Sequence, residues 1–257
     1  MSERSSYPHG VPNWVTCLAA DLDQATAFYR RVFGWTFEQD SGYALARLRG
    51  REVAGIGPAA EAGADVPPAW ITEVRVDDVD EAARAAEGAG GRVLSGPMDL
   101  SPASLLVVLA DPAGAVLCAT QPVGRQGAEL VNEPSAWSMS SLTVPDLGAV
   151  ERFYGEVLGW RREAYGASSL WRLPGYVGGE PGQPVPRDVV AVGVEAPGDA
   201  RWDVDFWIAD VEAAVAEAAA AGGVVLAPPS EVPGLPFRSA TLADPGGATF
   251  SVSQLLT

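Results

Sequence analysis

The segment DLDQATAFYRRVFGWTFE, residues 21–38, returns as DLGAVERFYGEVLGWRRE at residues 146–163. Two further segments recur in the same order: VDDVDEAARAAEGAGGRVLSGP at 76–97 matches IADVEAAVAEAAAAGGVVLAPP at 208–229, and LADPAGAVLCATQ at 109–121 matches LADPGGATFSVSQ at 242–254. Matched segments that keep their order and a nearly constant offset indicate an internal duplication. The chain therefore contains two copies of one domain.

Each copy is itself predicted to contain two smaller units. In the first unit, an extended apolar stretch (Trp14–Ala19) ends at Asp21, which suits the N-cap of a helix with Phe28 and Tyr29 on its buried face. Gly34 is the expected end of that helix, and short strands follow. The order βαβββ recurs four times along the chain. We predict an N-terminal arm at 1–10, a first domain at 11–123, a linker at 124–136 and a second domain at 137–257.

Composition excludes several classes of protein. The 257 residues include 47% hydrophobic residues, enough for a folded core, and carry a formal net charge of −16. An acidic surface repels phosphate backbones, so nucleic acid is not an expected partner. No apolar run is long enough for a membrane span, and the polar start of the chain does not resemble a signal peptide. A cytoplasmic protein without a membrane partner is the expectation.

The counts of histidine and cysteine predict neither a histidine-based catalytic site nor a disulfide-stabilised fold. The single histidine, His9, lies in the Pro-rich arm and is expected at the surface, which argues against a multi-histidine metal site or a Ser-His-Asp arrangement. Cys17 and Cys118 are too few and too far apart for a disulfide framework.

The FYxxxxGW and ADPxG segments, each present twice and in order, resemble the vicinal oxygen chelate superfamily over roughly residues 11 to 256. Its members include glyoxalase I, extradiol dioxygenases and bleomycin-binding resistance proteins. The linker sequence GAELVNEP further resembles a tandem, two-domain glyoxalase-like subgroup often labelled hydroxylase. The resemblance implies an α+β fold: four βαβββ units forming two cupped sheets, with helices on the outer faces. Whether units pair within each copy or across the two copies stays open.

Metal ligands in this superfamily are commonly a His on the first strand of a unit and a Glu on the last. The resemblance places the first-strand position seven residues before the helix-capping Asp, where this chain has Trp14, Ile71, Met139 and Asp203. It places the last-strand position seven residues after the Asp of DPxG, at Cys118 and Ser251, and for the first unit near Val53–Gly57, with Glu52 as the nearest carboxylate. A divalent metal needs three or four converging N or O ligands. We therefore expect no metal and no other cofactor.

Strand alternation then predicts which side chains line the two cups, since every second residue points to the same face. The candidate acid–base residues are Asp203, Asp205 and Glu73, because two carboxylates close together on one strand tend to raise one pKa. The candidate ligand-binding residues are Trp14, Thr16, Ile71, Arg75, Cys118, Met139, Ser141, Thr143, Trp207 and Ser251. Trp14 and Trp207 are the expected stacking or cation–π surfaces.

Three functions are compatible with these residues. The first is metal-independent binding of a small, aromatic or cationic organic molecule, as in sequestration or resistance. The second is a metal-independent isomerase, cyclase or lyase acting on a natural-product-like substrate. The third, a metal-dependent glyoxalase or extradiol dioxygenase, is disfavoured by the ligand positions. Because one chain already holds two cups, a functional monomer is expected, and a homodimer is compatible with the sequence.

Overall fold

Two eight-stranded mixed sheets form the framework of the molecule. The computed structural model describes residues 3–62, 66–178, 186–232 and 235–256. The first sheet contains β1 (Pro12–Ala19), β2 (Thr36–Asp40), β3 (Tyr43–Leu48), β4 (Arg51–Pro58), β5 (Ala69–Arg75), β6 (Arg92–Leu100), β7 (Ser104–Ala110) and β8 (Val116–Pro122). The second contains β9 (Trp137–Val144), β10 (Arg161–Tyr165), β11 (Ser168–Arg172), β12 (Val189–Glu195), β13 (Arg201–Trp207), β14 (Val224–Glu231), β15 (Phe237–Ala243) and β16 (Thr249–Leu255).

The strand order shows how the four units pair. It is β2-β3-β4-β1-β5-β8-β7-β6 in the first sheet and β10-β11-β12-β9-β13-β16-β15-β14 in the second. The first strands of two consecutive units, β1 and β5 or β9 and β13, lie antiparallel at the centre of each sheet. The units therefore pair within each copy, which decides between the two arrangements that the sequence left open.

The helices are α1 (Leu22–Phe33), the single turn α2 (Ala59–Ala62), α3 (Val79–Gly88), α4 (Leu147–Leu158) and α5 (Val211–Ala220). The predicted cap is present at α1, where the Asp21 carboxylate accepts a hydrogen bond from the Gln24 backbone N–H at 2.9 Å. Gly34 ends the helix with a left-handed φ of 71°, a conformation that glycine adopts without steric cost. Among these described helices, none is long and apolar enough to cross a membrane.

The helices cover one face of each sheet, and these two covered faces pack against each other. α1 contacts α5 of the other copy, and α3 contacts α4. Phe28 of the first copy lies against Gly223 of the second, where any side chain would collide with its ring, and Phe153 lies in the same way against Gly91. The core is therefore shared between the copies, and the open faces of the sheets point away from each other.

The repeated motifs connect the two copies by buried hydrogen bonds. The Tyr29 hydroxyl donates to Asp244 Oδ2 at 3.0 Å, and the Tyr154 hydroxyl donates to Asp111 Oδ2 at 2.9 Å. The other oxygen of Asp111 accepts three backbone N–H groups of its own turn, at 2.8 to 2.9 Å. Trp160 donates to the Gly10 carbonyl at 2.6 Å. The FYxxxxGW and ADPxG segments are thus parts of the interface between the copies.

Candidate functional site

The open face of each sheet forms the lining of a cup. We call the open face of the first sheet the first cup and that of the second sheet the second cup. Burial alternates along the central strands: Cys17 and Val204 are fully buried on the helix side, while Thr16 and Asp203 are half-buried on the open side. Glu73 and Asp205 occupy equivalent positions, each five residues before a helix-capping Asp. Each cup therefore has a carboxyl group at this position of its central strand.

In the first cup, a chain of hydrogen bonds links that carboxyl group to two aromatic side chains. Thr16 Oγ1 donates to Glu73 Oε1 at 2.6 Å and lies 3.4 Å from the Tyr43 hydroxyl. The same hydroxyl accepts a hydrogen bond from Trp14 Nε1 at 3.2 Å. The Tyr43 hydroxyl occupies the space that a β-carbon at Gly55 would take. A polar network thus covers the floor of the first cup.

Burial controls the protonation of this network. Burial raises the pKa of Glu73, and the hydrogen bond from Thr16 and the positive charge of Arg125 oppose that rise. Burial, together with the neighbouring Glu73, raises the pKa of the Cys118 thiol well above its usual value. A thiol held in its neutral form is a poor nucleophile, so Cys118 acts as a small apolar part of the wall.

Arg125, from the linker, lies over the first cup. Its guanidinium is 4.5 Å from the centroid of the Trp14 ring and 5.8 Å from that of Tyr43. Trp14 is only 1% exposed. A ligand could therefore stack on Trp14 only by displacing Arg125, which already supplies a cation at that ring face.

In the second cup, Asp205 is held by two serine hydroxyls. Ser138 donates to Asp205 Oδ2 at 2.7 Å and Ser253 donates to Asp205 Oδ1 at 2.6 Å. Burial raises the pKa of Asp205 to about 6, although both hydrogen bonds favour the ionised form. Ser138 reaches the cup because the pairing of β9 with β13 contains a register shift at this residue. Strict alternation along β9 could not have predicted that position.

Asp203 has different partners from Asp205. Its carboxylate accepts hydrogen bonds from Arg201 Nε at 3.1 Å and from Thr143 Oγ1 at 3.2 Å. The expected mechanism, repulsion between Asp203 and Asp205, does not account for the raised pKa of Asp205, because burial causes it. The two carboxylates lie on the same strand face but are stabilised separately.

The remaining predicted residues lie on the same two faces. Arg75 forms an ion pair with the exposed Asp77, whereas Glu73 is bound by Thr16. Trp207, at the equivalent position of the second cup, is half-buried and packs against Phe237 with ring centroids 6.0 Å apart. The other lining residues are half-buried: Ile71, Met139, Ser141 and Ser251.

The residues at the metal-ligand positions do not fit a metal. Strand register identifies the fourth metal-ligand position of each cup. Cys118 pairs with Glu73, and Ser251 pairs with Asp205. By the same register, Gly55 pairs with Thr16, and Val192 pairs with Ser141. The first cup thus has Trp14, Gly55, Ile71 and Cys118, and the second has Met139, Val192, Asp203 and Ser251. Within the described ranges, no group of three or more His, Cys, Asp or Glu side chains could hold a metal ion. Glu52 pairs with Arg47 at 3.0 Å.

Besides Ser138, sequence reasoning missed three residues of these cups. Tyr43 and Phe237 lie on outer strands whose alternation could have indicated them, since Tyr43 shares a face with Leu45 and Phe237 shares one with Ser239. Arg125 belongs to the linker, and no periodic signal marks it. Only the path of the chain across the first sheet brings its side chain to Trp14.

The fold agrees with the one that the resemblance to the vicinal oxygen chelate superfamily implies, and solved structures share it. The Mn(II)-bound glyoxalase from Novosphingobium aromaticivorans superposes with a TM-score of 0.68 at 16% identity, over 97% of this chain and 83% of that one. The 2,3-dioxygenase LapB from Pseudomonas sp. KL28 superposes with a TM-score of 0.67 at 14% identity, over 98% of this chain and 94% of that one. These similarities establish a shared fold.

Sequence comparison identifies the family. A family model described as a glyoxalase-like domain matches residues 14–120 and again 139–253, so the chain belongs to the glyoxalase-like domain family. It is 34% identical to the protein named "Putative glyoxylase CFP32" from Mycobacterium bovis, over 98% of this chain and 97% of that relative. It is 29% identical to the anthracycline biosynthesis protein DnrV from Streptomyces peucetius, over 96% of this chain and 94% of that relative.

Proposed function

We propose that this protein binds a small organic molecule with an aromatic surface and a positive charge, without a metal, in the second cup. One observation carries the proposal: the metal-ligand positions of this cup are occupied by Met139, Val192, Asp203 and Ser251. They lie beside the buried carboxyl group of Asp205 and the aromatic pair of Trp207 and Phe237. Apolar walls with a few polar groups are typical of small-molecule sites.

The lining of the second cup favours this class of ligand. Trp207 and Phe237 offer partly exposed rings for stacking, and Asp205 offers a carboxylate that a ligand ammonium would keep ionised. The net charge of −16 attracts cations toward the surface. The relative named for anthracycline biosynthesis supports a flat aromatic compound as the ligand. We place this activity in the cytoplasm, with no membrane or nucleic-acid partner, in a protein that functions as a monomer.

A metal-independent enzyme is the second candidate function, and Asp205 is the observation that favours it. A carboxyl group with a pKa of about 6 can both donate and accept a proton near neutral pH. The serine hydroxyls of Ser138 and Ser253 hold that group in one orientation. Glu73 occupies the equivalent position of the first cup. An isomerase, cyclase or lyase reaction would use one of these carboxyls as acid and base.

Metal content and ligand binding test the proposal together. Elemental analysis of the purified protein, dialysed without chelator, should find no stoichiometric transition metal. An anthracycline bearing an amino sugar should then bind in calorimetric titrations, and Trp207→Ala should weaken binding by about tenfold or more because a stacking surface is lost. Asp205→Asn should also weaken binding, because the ligand cation loses its partner.

Arg75→Ala is the matched control, since Arg75 occupies the position of Trp207 in the other cup and pairs only with exposed Asp77 among the partners described. Its affinity for the anthracycline should equal that of the unmodified protein. One tightly held metal ion per chain would refute metal independence. Equal affinities of the Trp207→Ala and Arg75→Ala proteins would refute the assignment to the second cup. Conversion of the bound compound that disappears in Asp205→Asn would favour the enzyme.

A further inference from the structure

Arg125 is an arginine held in place at both its backbone and its side chain. The N–H groups of residues 123, 124 and 125 all point to the carbonyl oxygen of Ala103, at 3.1 to 3.2 Å. At the next residue the chain is fixed to β1, because Asn13 Nδ2 donates to the Gln126 carbonyl at 3.2 Å. The guanidinium lies against the rings of Trp14 and Tyr43. Little entropy would be lost on presenting it to a ligand.

The glycines beside Arg125 allow this close crossing. A β-carbon at Gly124 would lie 2.5 Å from the Pro102 carbonyl oxygen, and one at Gly127 would lie 2.5 Å from the Asn13 carbonyl oxygen. Gly127 also has a φ of +136°, which side-chain-bearing residues rarely adopt. The linker is therefore built to pass tightly over this end of the first cup.

The guanidinium of Arg125 has N–H donors that are available to a ligand. Among the described residues, no carboxylate lies within ion-pair distance of this guanidinium and no acceptor forms a hydrogen bond with it, whereas Arg51 on the same cleft pairs with Glu3. A guanidinium that lies over an aromatic ring without an acceptor keeps its N–H groups available, and it can bind a carboxylate with two hydrogen bonds. Arg125 and Leu45 line a cleft of about 830 Å³. That volume is within the range of small-molecule pockets, about 300 to 1,000 Å³.

We infer that the cleft at this end of the first cup is a second binding site, which takes an aromatic carboxylate through Arg125. The carboxylate lies on the edge of the guanidinium, and the aromatic part of the ligand extends over Leu45 into the cleft. The charge preference is opposite to that of the second cup, because here the protein itself supplies the cation over the tryptophan ring. This site is independent of the function proposed above and involves different residues.

The test uses 1-naphthoate as the probe and neutral 1-naphthamide as its matched analogue, titrated calorimetrically into the full chain. Naphthoate is expected to bind about tenfold or more tightly than naphthamide, as a charge-assisted bidentate pair requires. Arg125→Gln should abolish that preference. Arg125→Lys should keep part of it, because lysine preserves the charge and loses the fork geometry. Arg51→Gln, on the same cleft, should bind naphthoate like the unmodified protein.

Two results would overturn the inference. One is the absence of naphthoate binding to the unmodified protein at millimolar concentration. The other is equal binding of naphthoate by the Arg125→Gln protein, with its thermal unfolding unchanged. Neither result bears on anthracycline binding in the second cup, so failure of this site and failure of the proposed function are distinguishable.

Discussion

At the scale of single residues, the two cups place an acid at the same position and hold it differently. Glu73 receives one hydroxyl hydrogen bond, from Thr16, whereas Asp205 receives two, from Ser138 and Ser253. In both cases burial raises the pKa. A buried carboxyl group that prefers its neutral form is destabilising when it ionises, and function is a common reason for keeping one.

The raised pKa of Asp205 predicts a pH-dependent stability. The native state keeps this proton up to a pH of about 6, whereas the unfolded chain releases it near 3.8. The protonated Asp205 therefore contributes fully to the stability of the native state below the pKa of the unfolded chain. This contribution is lost as the pH rises through the native pKa. Asp205→Asn should raise the free energy of unfolding by about 3 kcal/mol at neutral pH and lose that advantage at low pH.

Urea unfolding at pH values of about 4 and 7.5 measures this difference. Asp203→Asn is the matched control on the same strand, because its carboxylate pairs with Arg201 at a partly exposed position. That variant should gain no stability at neutral pH. An Asp205→Asn protein that is less stable than the unmodified one at both pH values would contradict the raised pKa of Asp205.

At the scale of elements, the helices matter more for joining the copies than for shaping the cups. Each FYxxxxGW helix places its tyrosine against the DPxG turn of the other copy. The Tyr29 hydroxyl also accepts from Trp70 Nε1 at 2.9 Å, and the equivalent Tyr154 accepts from Trp202 Nε1 at 3.2 Å. Residues from both copies thus meet at each of these two buried hydroxyl groups.

Tyr29→Phe should lower the free energy of unfolding by about 2 kcal/mol, because it leaves the Trp70 N–H and one Asp244 oxygen buried without this partner. Tyr154→Phe should have a similar effect by symmetry. Chemical denaturation measures both changes. Tyr165→Phe, on an exposed part of β10, is the control and should leave stability unchanged. A neutral effect of Tyr29→Phe would show that the interface tolerates loss of the bond.

At the scale of the whole molecule, the shared helical core separates the two cups. Thr72 of β5 donates to Ser140 of β9 at 2.7 Å, so the centres of the two sheets meet at their covered faces. The cups open in opposite directions. Their linings also differ in charge, since Arg125 accompanies Glu73 in one and Asp203 accompanies Asp205 in the other. The duplication has therefore produced two dissimilar sites from one plan.

Independence of the cups is the corresponding prediction. Saturation with 1-naphthoate should change the dissociation constant of the anthracycline by no more than about twofold, because solvent and salt screen charges beyond roughly 10 Å. Titration of one ligand in the presence of the other measures this. The control is each ligand's own-cup variant, Arg125→Gln or Trp207→Ala, which should affect only its own ligand. Mutual displacement would show that both ligands use one site.

Much of the fold could be read from the sequence, because its signals are local or repeated. Asp21 and Gly34 mark the ends of a helix by backbone chemistry that depends on few neighbours. The duplication is visible as matched segments, and alternation places Thr16 and Cys17 on opposite faces. Each of these features depends on residues that are close together in the chain.

Only the tertiary structure decided how the units pair and what fills each cup. Arg125 reaches Trp14 across 111 positions of chain, Ser138 enters the second cup through a register shift, and Phe28 finds its place against Gly223. Such contacts depend on the path of the backbone through space, which local propensities do not encode. The residues of the chain thus indicate the family fold, the acids of the cups and the exchanged metal-ligand positions, and the packing of distant segments adds Arg125 to one cup and Ser138 to the other.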